Sequence, residues 1–234
     1  MKSIILIALL SVSIFAKGVY ATFNVAPKKE VNLAFSTNGM VSKINADIGS
    51  LVAKGEILAQ LENSDLKARV NKAKAALEYA TKSFKRAKRA KSVQDEATFD
   101  RFKFEYEKAK AEYILAVAIL NKSYLKAPFS GIITKKAVEV GDVVSAMAPR
   151  MLFKLESKEK KLILDFDQNY LNIVKVGDTF KYKIDGQNKT YSGKIIKIYP
   201  SVDIKNHTIK AEVNAPLNLK SGLFGDGLIE LGAK

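Results

Sequence analysis

The same fifteen-residue motif occurs twice in this chain, once on each side of a long segment that favours helix. The first copy spans Gly39–Ala53 and the second spans Gly131–Ser145. Aligned without a gap, both copies have glycine at their first and eleventh positions, a hydroxyl side chain at the fourth, lysine at the fifth and an acid at the ninth. A split repeat of this kind predicts one small β domain made of two half-motifs, with residues 63–124 inserted between them.

Each copy leads into a matching apolar end, Leu58–Glu62 in the first half and Leu152–Glu156 in the second. Short apolar runs separated by glycine are typical of short strands joined by tight turns. We therefore expect a β domain formed by residues 17–62 and 125–156.

The inserted segment has two apolar seams with the spacing of a coiled coil. Their apolar or small residues recur every three or four positions, and neither segment contains proline or glycine. The first seam is Leu66, Val70, Ala73, Leu77, Ala80, Phe84 and Ala87, and the second is Phe99, Phe102, Tyr106, Ala109, Tyr113, Ala116 and Leu120. This spacing predicts an antiparallel α-helical coiled-coil hairpin over residues 63–124. The side chain of Asn63 or Ser64 is expected to cap its first helix.

The turn of this hairpin is the predicted site of contact with a partner. The first helix ends in a basic run that includes Arg86, and the second begins with Asp95 and Glu96, so each set of charges complements its own helix dipole. If each half of residues 63–124 is one helix, the hairpin projects roughly 40 Å and buries little of its own surface. We expect neighbouring copies along the flanks and a partner at the tip. The tip residues expected to contact that partner are Arg89, Lys91, Ser92, Val93, Gln94 and Asp95.

Residues 157–234 predict a second module, a small antiparallel β-barrel. Short apolar runs alternate with turn residues through this region, as in small all-β barrels. Pro200 and Pro216 are expected in the connections between strands.

The N-terminus has the composition of an export signal. After Lys2, the thirteen-residue stretch Ile4–Ala16 is mostly apolar, shorter than the roughly 20 residues that a spanning helix needs. We predict a signal peptide at residues 1–16. Cleavage after Ala16 is favoured over Ala21 because Lys17 ends the apolar run, and an uncleaved anchor is the alternative. The mature chain is expected in the periplasm, associated with the inner membrane.

The composition excludes several kinds of chemistry. Cysteine is absent and His207 is the single histidine, so thiol nucleophiles, zinc clusters and histidine-based triads lack their parts. Met40, Met147 and Met151 are expected to fill the core rather than bind a soft metal. The net charge of +15 is spread over a chain predicted to be exported, so no nucleic-acid partner is expected. We expect no enzyme activity, no cofactor and no metal.

Several segments resemble the periplasmic adaptor, or membrane fusion, subunits of tripartite efflux and secretion systems. They are Val41–Glu62, Leu125–Thr134, Glu139–Val144 and, in the second module, Gly193–Asp203. The resemblance covers residues 23–231. It implies a mixed α+β chain that is mostly β: a split lipoyl-like barrel-sandwich domain with an inserted coiled-coil hairpin, followed by a small β-barrel.

The resemblance also implies a function. Such an adaptor is non-catalytic and links an inner-membrane transporter to an outer-membrane channel for efflux of drugs or other small molecules. It assembles into a ring-like homo-oligomer, for which a hexamer is one arrangement. The resemblance favours a transporter of the resistance-nodulation-division type, because adaptors of this family frequently serve such transporters. The family's docking pattern at the tip, an arginine with leucine four residues on and serine seven further, starts at neither Arg86 nor Arg89.

Other functions remain open at this stage. The chain could serve an ATP-driven export or type I secretion system as its adaptor. It could instead be an exported protein that binds a ligand or metal. A lipoyl or biotinyl carrier is disfavoured because the modified lysine belongs in the tight turn between the two halves, where this chain has the inserted segment.

Overall fold

The computed structural model describes residues 18–90, 95–216 and 218–232. The chain divides into two compact units, one containing residues 29–158 and the other containing the residues up to Lys28 together with those from Glu159 onward. The predicted signal peptide, residues 1–16, lies outside the described residues.

Fourteen strands and two long helices make up the described chain. The strands are β1 (Gly18–Pro27), β2 (Glu30–Leu33), β3 (Gly39–Ile44), β4 (Leu51–Val52), β5 (Ile57–Leu61), β6 (Tyr124–Lys126), β7 (Gly131–Lys136), β8 (Val143–Val144), β9 (Phe153–Glu156), β10 (Lys160–Asp167), β11 (Thr179–Ile184), β12 (Thr190–Asp203), β13 (Thr208–Asn214) and β14 (Phe224–Glu230). The helices are α1 (Ser64–Arg89) and α2 (Glu96–Lys122), and a 3₁₀ turn spans Gln168–Tyr170.

Strands β2 to β9 form two four-stranded sheets whose orders mirror each other, β2-β9-β7-β4 and β6-β5-β3-β8. The first strand of each motif copy pairs with the second strand of the other copy. Gly39 lies opposite Val144 in the β3–β8 pair, and Val52 lies opposite Gly131 in the β4–β7 pair. The two half-motifs are therefore interlocked, which confirms the predicted barrel-sandwich domain built from two halves.

The repeated glycines serve two different purposes in this unit. Gly49 and Gly141 have φ angles of 86° and 96°, a left-handed conformation that residues with a Cβ atom rarely adopt. Gly131 is needed for close approach instead, because a Cβ atom there would lie 2.2 Å from the carbonyl oxygen of Glu156 on the neighbouring strand β9. The core forms at equivalent positions of the two copies, such as Val41 and Ile133, both fully buried.

The second unit is a closed six-stranded barrel with the order β1-β10-β13-β12-β11-β14. Strand β1 pairs on both edges, with Ala21 opposite Phe166 of β10 and Gly18 opposite Glu230 of β14. The predicted boundary that placed residues 17–28 in the β domain is therefore wrong for residues 18–28. Alternate residues of β1 fill the barrel core, and they are Val19, Ala21, Phe23 and Val25. Both of β1's partner strands lie far along the chain, so local sequence does not reveal them.

Pro200 also differs from its prediction. It lies within β12 rather than in a connection, at an irregularity of the register between Ile198 and Val202. Proline is tolerated inside a sheet at such a place because its missing amide leaves no ladder hydrogen bond unmade.

Candidate interaction surfaces

Helices α1 and α2 pack against each other in opposite directions, and we refer to them as the helical pair. Asn63 and Ser123 are joined at one end, and Phe84 contacts Phe99 and Tyr106 toward the other. Every residue of the two predicted seams is buried or half-buried. The seams therefore form the contact between the helices, and the remaining faces are free to meet other molecules. No helix in the described ranges is long and apolar enough to cross a membrane.

The base of the helical pair is held by a side-chain network rather than by the predicted cap. Asn63 precedes α1, but its side chain makes no capping hydrogen bond. Its Nδ2 donates to Ser123 Oγ at 2.8 Å, while its Oδ1 accepts from Gln60 Nε2 at 3.3 Å. The capping role predicted for Asn63 is wrong because these buried partners engage both of its polar atoms. Ser64 is the first helical residue, and its amide donates to Glu62 Oε1 at 3.0 Å.

The hydrogen bonds at this junction favour the ionised form of Glu62. Those from the Ser64 side chain and then from its amide hold the pKa of Glu62 below the ordinary value. The Glu62 carboxylate is exposed, and its contact is with the first residue of α1.

Aromatic packing joins the two helices near their far end. The rings of Phe84 and Tyr106 stack with centroids 5.3 Å apart and an interplanar angle of 11°, and Phe99 lies 5.7 Å from Phe84. Ala87 is buried beside this cluster. Most other seam contacts of α1 at this end use small side chains, so the aromatic cluster supplies much of the apolar area that fixes the helix ends.

Two of the six predicted tip residues fall within the described chain. Arg89 is the last residue of α1 and is exposed. Asp95 caps α2, since its Oδ1 accepts a hydrogen bond from the Thr98 amide at 2.8 Å. That hydrogen bond keeps the pKa of Asp95 below its ordinary value. The other four predicted contacts lie outside the described residues, and they are Lys91, Ser92, Val93 and Gln94.

The outer faces of the two helices differ in chemistry. Helix α2 exposes large apolar side chains, and these are Phe104, Ile114, Leu115 and Ile119. Helix α1 exposes mainly cations, and these are Lys67, Arg69, Lys72, Lys74, Lys82, Lys85, Arg86, Lys88 and Arg89. The heptad seams do not include the apolar flank of α2, although the run Ile114–Leu120 is apolar on every side and indicates two buried faces. Contiguous exposed apolar residues mark interaction surfaces.

A groove between the helices forms a second surface on the pair. Small residues of α1 line one wall, namely Ala76, Ala80 and Ser83, and Phe102 and Ala109 contribute to the other. The small side chains on this wall leave the space that the groove occupies. The heptad spacing includes Ala80 in the seam, whereas Ala76 and Ser83, which extend the strip of small residues, fall outside that spacing.

A metal site is the remaining kind of candidate site among the described residues. Within residues 18–90, 95–216 and 218–232, no group of three or more His, Asp or Glu side chains is arranged to hold a metal ion. The predicted core role of the methionines is wrong for two of them, since Met40 is half exposed and Met147 is 93% exposed. Met40 points outward because its neighbour Val41 takes the inward position of β3. His207 is exposed and has a φ of 54° in its turn.

Two interlocked half-motifs, a helical pair inserted between them and a six-stranded barrel together define the fold of membrane fusion, or periplasmic adaptor, proteins. A family model described as a CzcB-like, barrel-sandwich hybrid domain matches residues 29–154, more than half of the chain. The chain belongs to this family.

Solved structures share the fold at low sequence identity. A chimeric MacA–MexA protein containing the Pseudomonas aeruginosa MexA α-hairpin domain has a TM-score of 0.80 and 20% identity, with 93% of this chain and 80% of that chain covered. A membrane fusion protein from Streptococcus pneumoniae has a TM-score of 0.73 and 17% identity, covering 92% and 100%. MacA from Actinobacillus actinomycetemcomitans has a TM-score of 0.65 and 19% identity, covering 92% and 79%.

Among curated proteins, an uncharacterized protein of Haemophilus influenzae is 24% identical over 185 residues. The match covers 76% of this chain and 47% of that protein, so the chain spans about half the length of this relative.

Proposed function

We propose that this chain is a non-catalytic periplasmic adaptor that links an inner-membrane transporter to an outer-membrane channel for the efflux of drugs or other small molecules. The observation that carries the proposal is the helical pair, because it is inserted between the two halves of the barrel-sandwich unit and has an apolar outer flank. A catalytic scaffold has no need of such an arm, whereas an adaptor uses it to reach another protein.

The helical pair acts in this proposal as an antiparallel coiled-coil hairpin whose turn binds the channel. The heptad seams and the aromatic cluster around Phe84 support a stiff arm. Arg89 is the described cation best placed for a polar contact at that end. Asp95 is engaged by the Thr98 amide, so its main role there is to hold the start of α2. The channel contacts then come mainly from Arg89 and residues 91–94.

Self-association into a ring-like homo-oligomer is the second part of the proposal. The exposed Leu115 and Ile119 of α2 supply an apolar contact, and the cationic outer face of α1 carries the charge that a neighbouring copy's acids complement. Acids Glu107 and Glu112 lie on α2 beside its apolar side chains. Flank-to-flank packing of α2 on α1 repeats around a ring, since each copy offers both flanks.

Export of the chain and cleavage after Ala16 complete the proposal. Strand β1 begins at Gly18, and both Val19 and Ala21 are buried in the barrel. Cleavage after Ala21 would remove the first four residues of this strand, including two core side chains. Cleavage after Ala16 retains all of β1 and delivers the adaptor to the periplasm, next to the inner membrane.

Gene deletion combined with measurement of substrate accumulation tests the transport role. In the organism that encodes this chain, loss of the adaptor should raise retention of a pump substrate as much as loss of the transporter, and the double deletion should add nothing further. We expect the transporter whose deletion matches loss of the adaptor to be of the resistance-nodulation-division type. A match with deletion of an ATP-driven exporter would identify the alternative. Unchanged retention of a broad substrate panel would contradict the efflux function.

A further inference from the structure

One end of the barrel collects both described chain ends and two of its connections. Because neighbouring strands are antiparallel, the start of β1, the loop of residues 168–178, the turn of residues 204–207 and the residues after β14 all lie at this end. We call it the terminal rim. The Gln168 amide donates to the His207 carbonyl at 3.1 Å, and the Gly232 amide donates to Asp178 Oδ1 at 3.2 Å. The rim is therefore one connected surface.

The terminal rim exposes a cluster of large apolar side chains. Its five members are Tyr170, Leu171, Ile173, Val176 and Ile204. Ile204, at the turn between β12 and β13, is 86% exposed. Val174, in the same loop, is buried in the barrel core and fixes the loop to it. The apolar residues are thus held outward by a loop that is itself packed.

Several backbone amides of this loop already donate hydrogen bonds within it. Amides of Leu171 and Ile173 donate to the carbonyls of Gln168 and Tyr170 at 3.0 Å, and the Val174 amide donates to Tyr170 at 2.9 Å. Backbone groups satisfied within their own segment are the condition for placing a segment in a medium that lacks water.

The acidic and basic side chains of the rim differ in whether they are bound to the protein. Asp167, Asp178 and Asp203 each accept a hydrogen bond from a backbone amide of their own loop, at 2.8 or 2.9 Å. Lys175 and Lys205 make no ion pair with any residue of the described ranges. The carboxylates are tied to the protein, while two ammonium groups can reach beyond the apolar side chains.

The part of the rim at Gly18 lies close in sequence to the apolar N-terminal run, and this indicates what the rim binds. Only Lys17 separates Gly18 from the apolar run Ile4–Ala16. Two residues span at most about 7 Å, so until cleavage after Ala16 the membrane that holds that run lies next to the rim. Cleavage after Ala16 leaves Lys17, with its side-chain ammonium and a new α-amino group, as the residue before Gly18. Apolar side chains flanked by cations are the composition of surfaces that bind the bilayer interface.

We propose that the terminal rim is a lipid-binding surface that seats the barrel in the interfacial region of a phospholipid bilayer, with Ile204 and the 168–178 loop inserted and Lys175 and Lys205 at the headgroups. This inference rests on the proposed export of the chain. It adds a direct membrane contact, independent of any transporter, to the proposed adaptor.

Vesicle flotation with the chain that begins at Lys17, which retains every described residue, tests the proposal. Ile204→Asp should reduce binding to vesicles of phosphatidylethanolamine and phosphatidylglycerol by about tenfold, because an apolar anchor becomes a charge. Met147→Asp is the matched control, at a site 93% exposed in the other unit, and should bind like the parent chain. Equal binding by the two variants would overturn the proposal.

A second pair of variants tests the headgroup contact. Lys205→Gln should weaken binding to the same vesicles by about fivefold, and Lys220→Gln, in the loop at the opposite end of the barrel, should not. A photoreactive residue at position 204 in cells should label phospholipid. Labelling of protein alone would overturn the lipid assignment. It would not bear on the adaptor function, which is tested separately by substrate retention in the deletion strains.

Discussion

Asn63 donates a hydrogen bond from Nδ2 to Ser123 Oγ at 2.8 Å, and this contact joins the start of α1 to the end of α2. Each residue is 1% exposed. Ser123 Oγ in turn donates to the Leu120 carbonyl at 2.6 Å, and Gln60 donates to Asn63. No buried side-chain polar atom in the described ranges lacks a partner. This network therefore sets where the helical pair emerges from the barrel-sandwich unit.

Loss of this contact should destabilise the unit that contains the helical pair. Asn63→Ala removes the donor to Ser123 and leaves Gln60 without its acceptor, which should cost about 1–3 kcal/mol of unfolding free energy. Urea denaturation followed by circular dichroism measures it. Asn71→Ala, at an exposed position of α1, serves as the control and should change stability by less than about 0.5 kcal/mol. Similar losses in both variants would mean that the network has no special role.

Gly131 should tolerate alanine less well than Gly55. An added Cβ at Gly131 meets the Glu156 carbonyl oxygen at 2.2 Å, so β7 and β9 must separate, at a cost of at least about 2 kcal/mol. At Gly55 the surroundings are open and only the φ of 85° is strained, which costs about 1–2 kcal/mol. Thermal unfolding of the two variants should rank them in this order. The reverse ranking would show that backbone strain outweighs strand approach here.

Acid should weaken the start of α2 through Asp95. The pKa of this carboxyl is lowered in the folded chain by its hydrogen bond from the Thr98 amide. A depressed folded pKa means that the capping contribution is complete above the unfolded pKa, near 3.9, and is lost as pH falls through the folded pKa. An NMR titration of the Thr98 amide should follow this protonation. In Asp95→Asn, whose amide oxygen still caps, the amide shift should not titrate in that range, and an unchanged titration would assign it to another group.

The role of β1 predicts how the chain tolerates shortening at its N-terminus. A chain beginning at Lys17 should fold, whereas one beginning at Thr22 should not close the barrel, because it lacks Val19 and Ala21. Near-ultraviolet circular dichroism and resistance to proteolysis distinguish the two. Terminal sequencing of the exported protein should then give Lys17 as its first residue. A stable barrel in the chain from Thr22 would remove the argument for cleavage after Ala16.

The apolar flank of α2 should drive self-association. Leu115→Asp places a charge on this flank and should shift the protein toward monomer in analytical ultracentrifugation, with helicity unchanged. Met147→Asp, at a 93% exposed position of the same unit outside the helical pair, is the matched control. An oligomer that persists in Leu115→Asp would exclude this flank as the contact between copies.

The sequence revealed the elements that depend on local spacing. The repeat at Gly39 and Gly131 predicted the interlocked halves, and the seam residues around Phe84 are those that face the partner helix. Long-range pairing was not visible in the same way. Strand β1 alternates apolar and polar residues, yet only closure of the barrel decides which domain it joins. Asn63 is a residue type that often caps helices, but Ser123, sixty positions further along the chain, engages its side chain.

The candidate surfaces were only partly predictable for a related reason. A heptad pattern identifies the face that meets the partner helix, and the exposed faces are assigned by default to solvent. The apolar flank at Leu115 and the rim residue Ile204 are recognisable as interaction surfaces only once the fold shows that nothing in the described chain covers them.

Crosslinking from the tip tests the adaptor function most directly. Because the chain has no native cysteine, an introduced cysteine is its one site of thiol crosslinking. Ser92→Cys should be crosslinked in intact cells and its adducts identified by mass spectrometry, with Ser201→Cys on the barrel as control. The account predicts capture of an outer-membrane channel from position 92 and none from position 201. Capture of only its own copies, or of nothing, by a folded and abundant protein would contradict it.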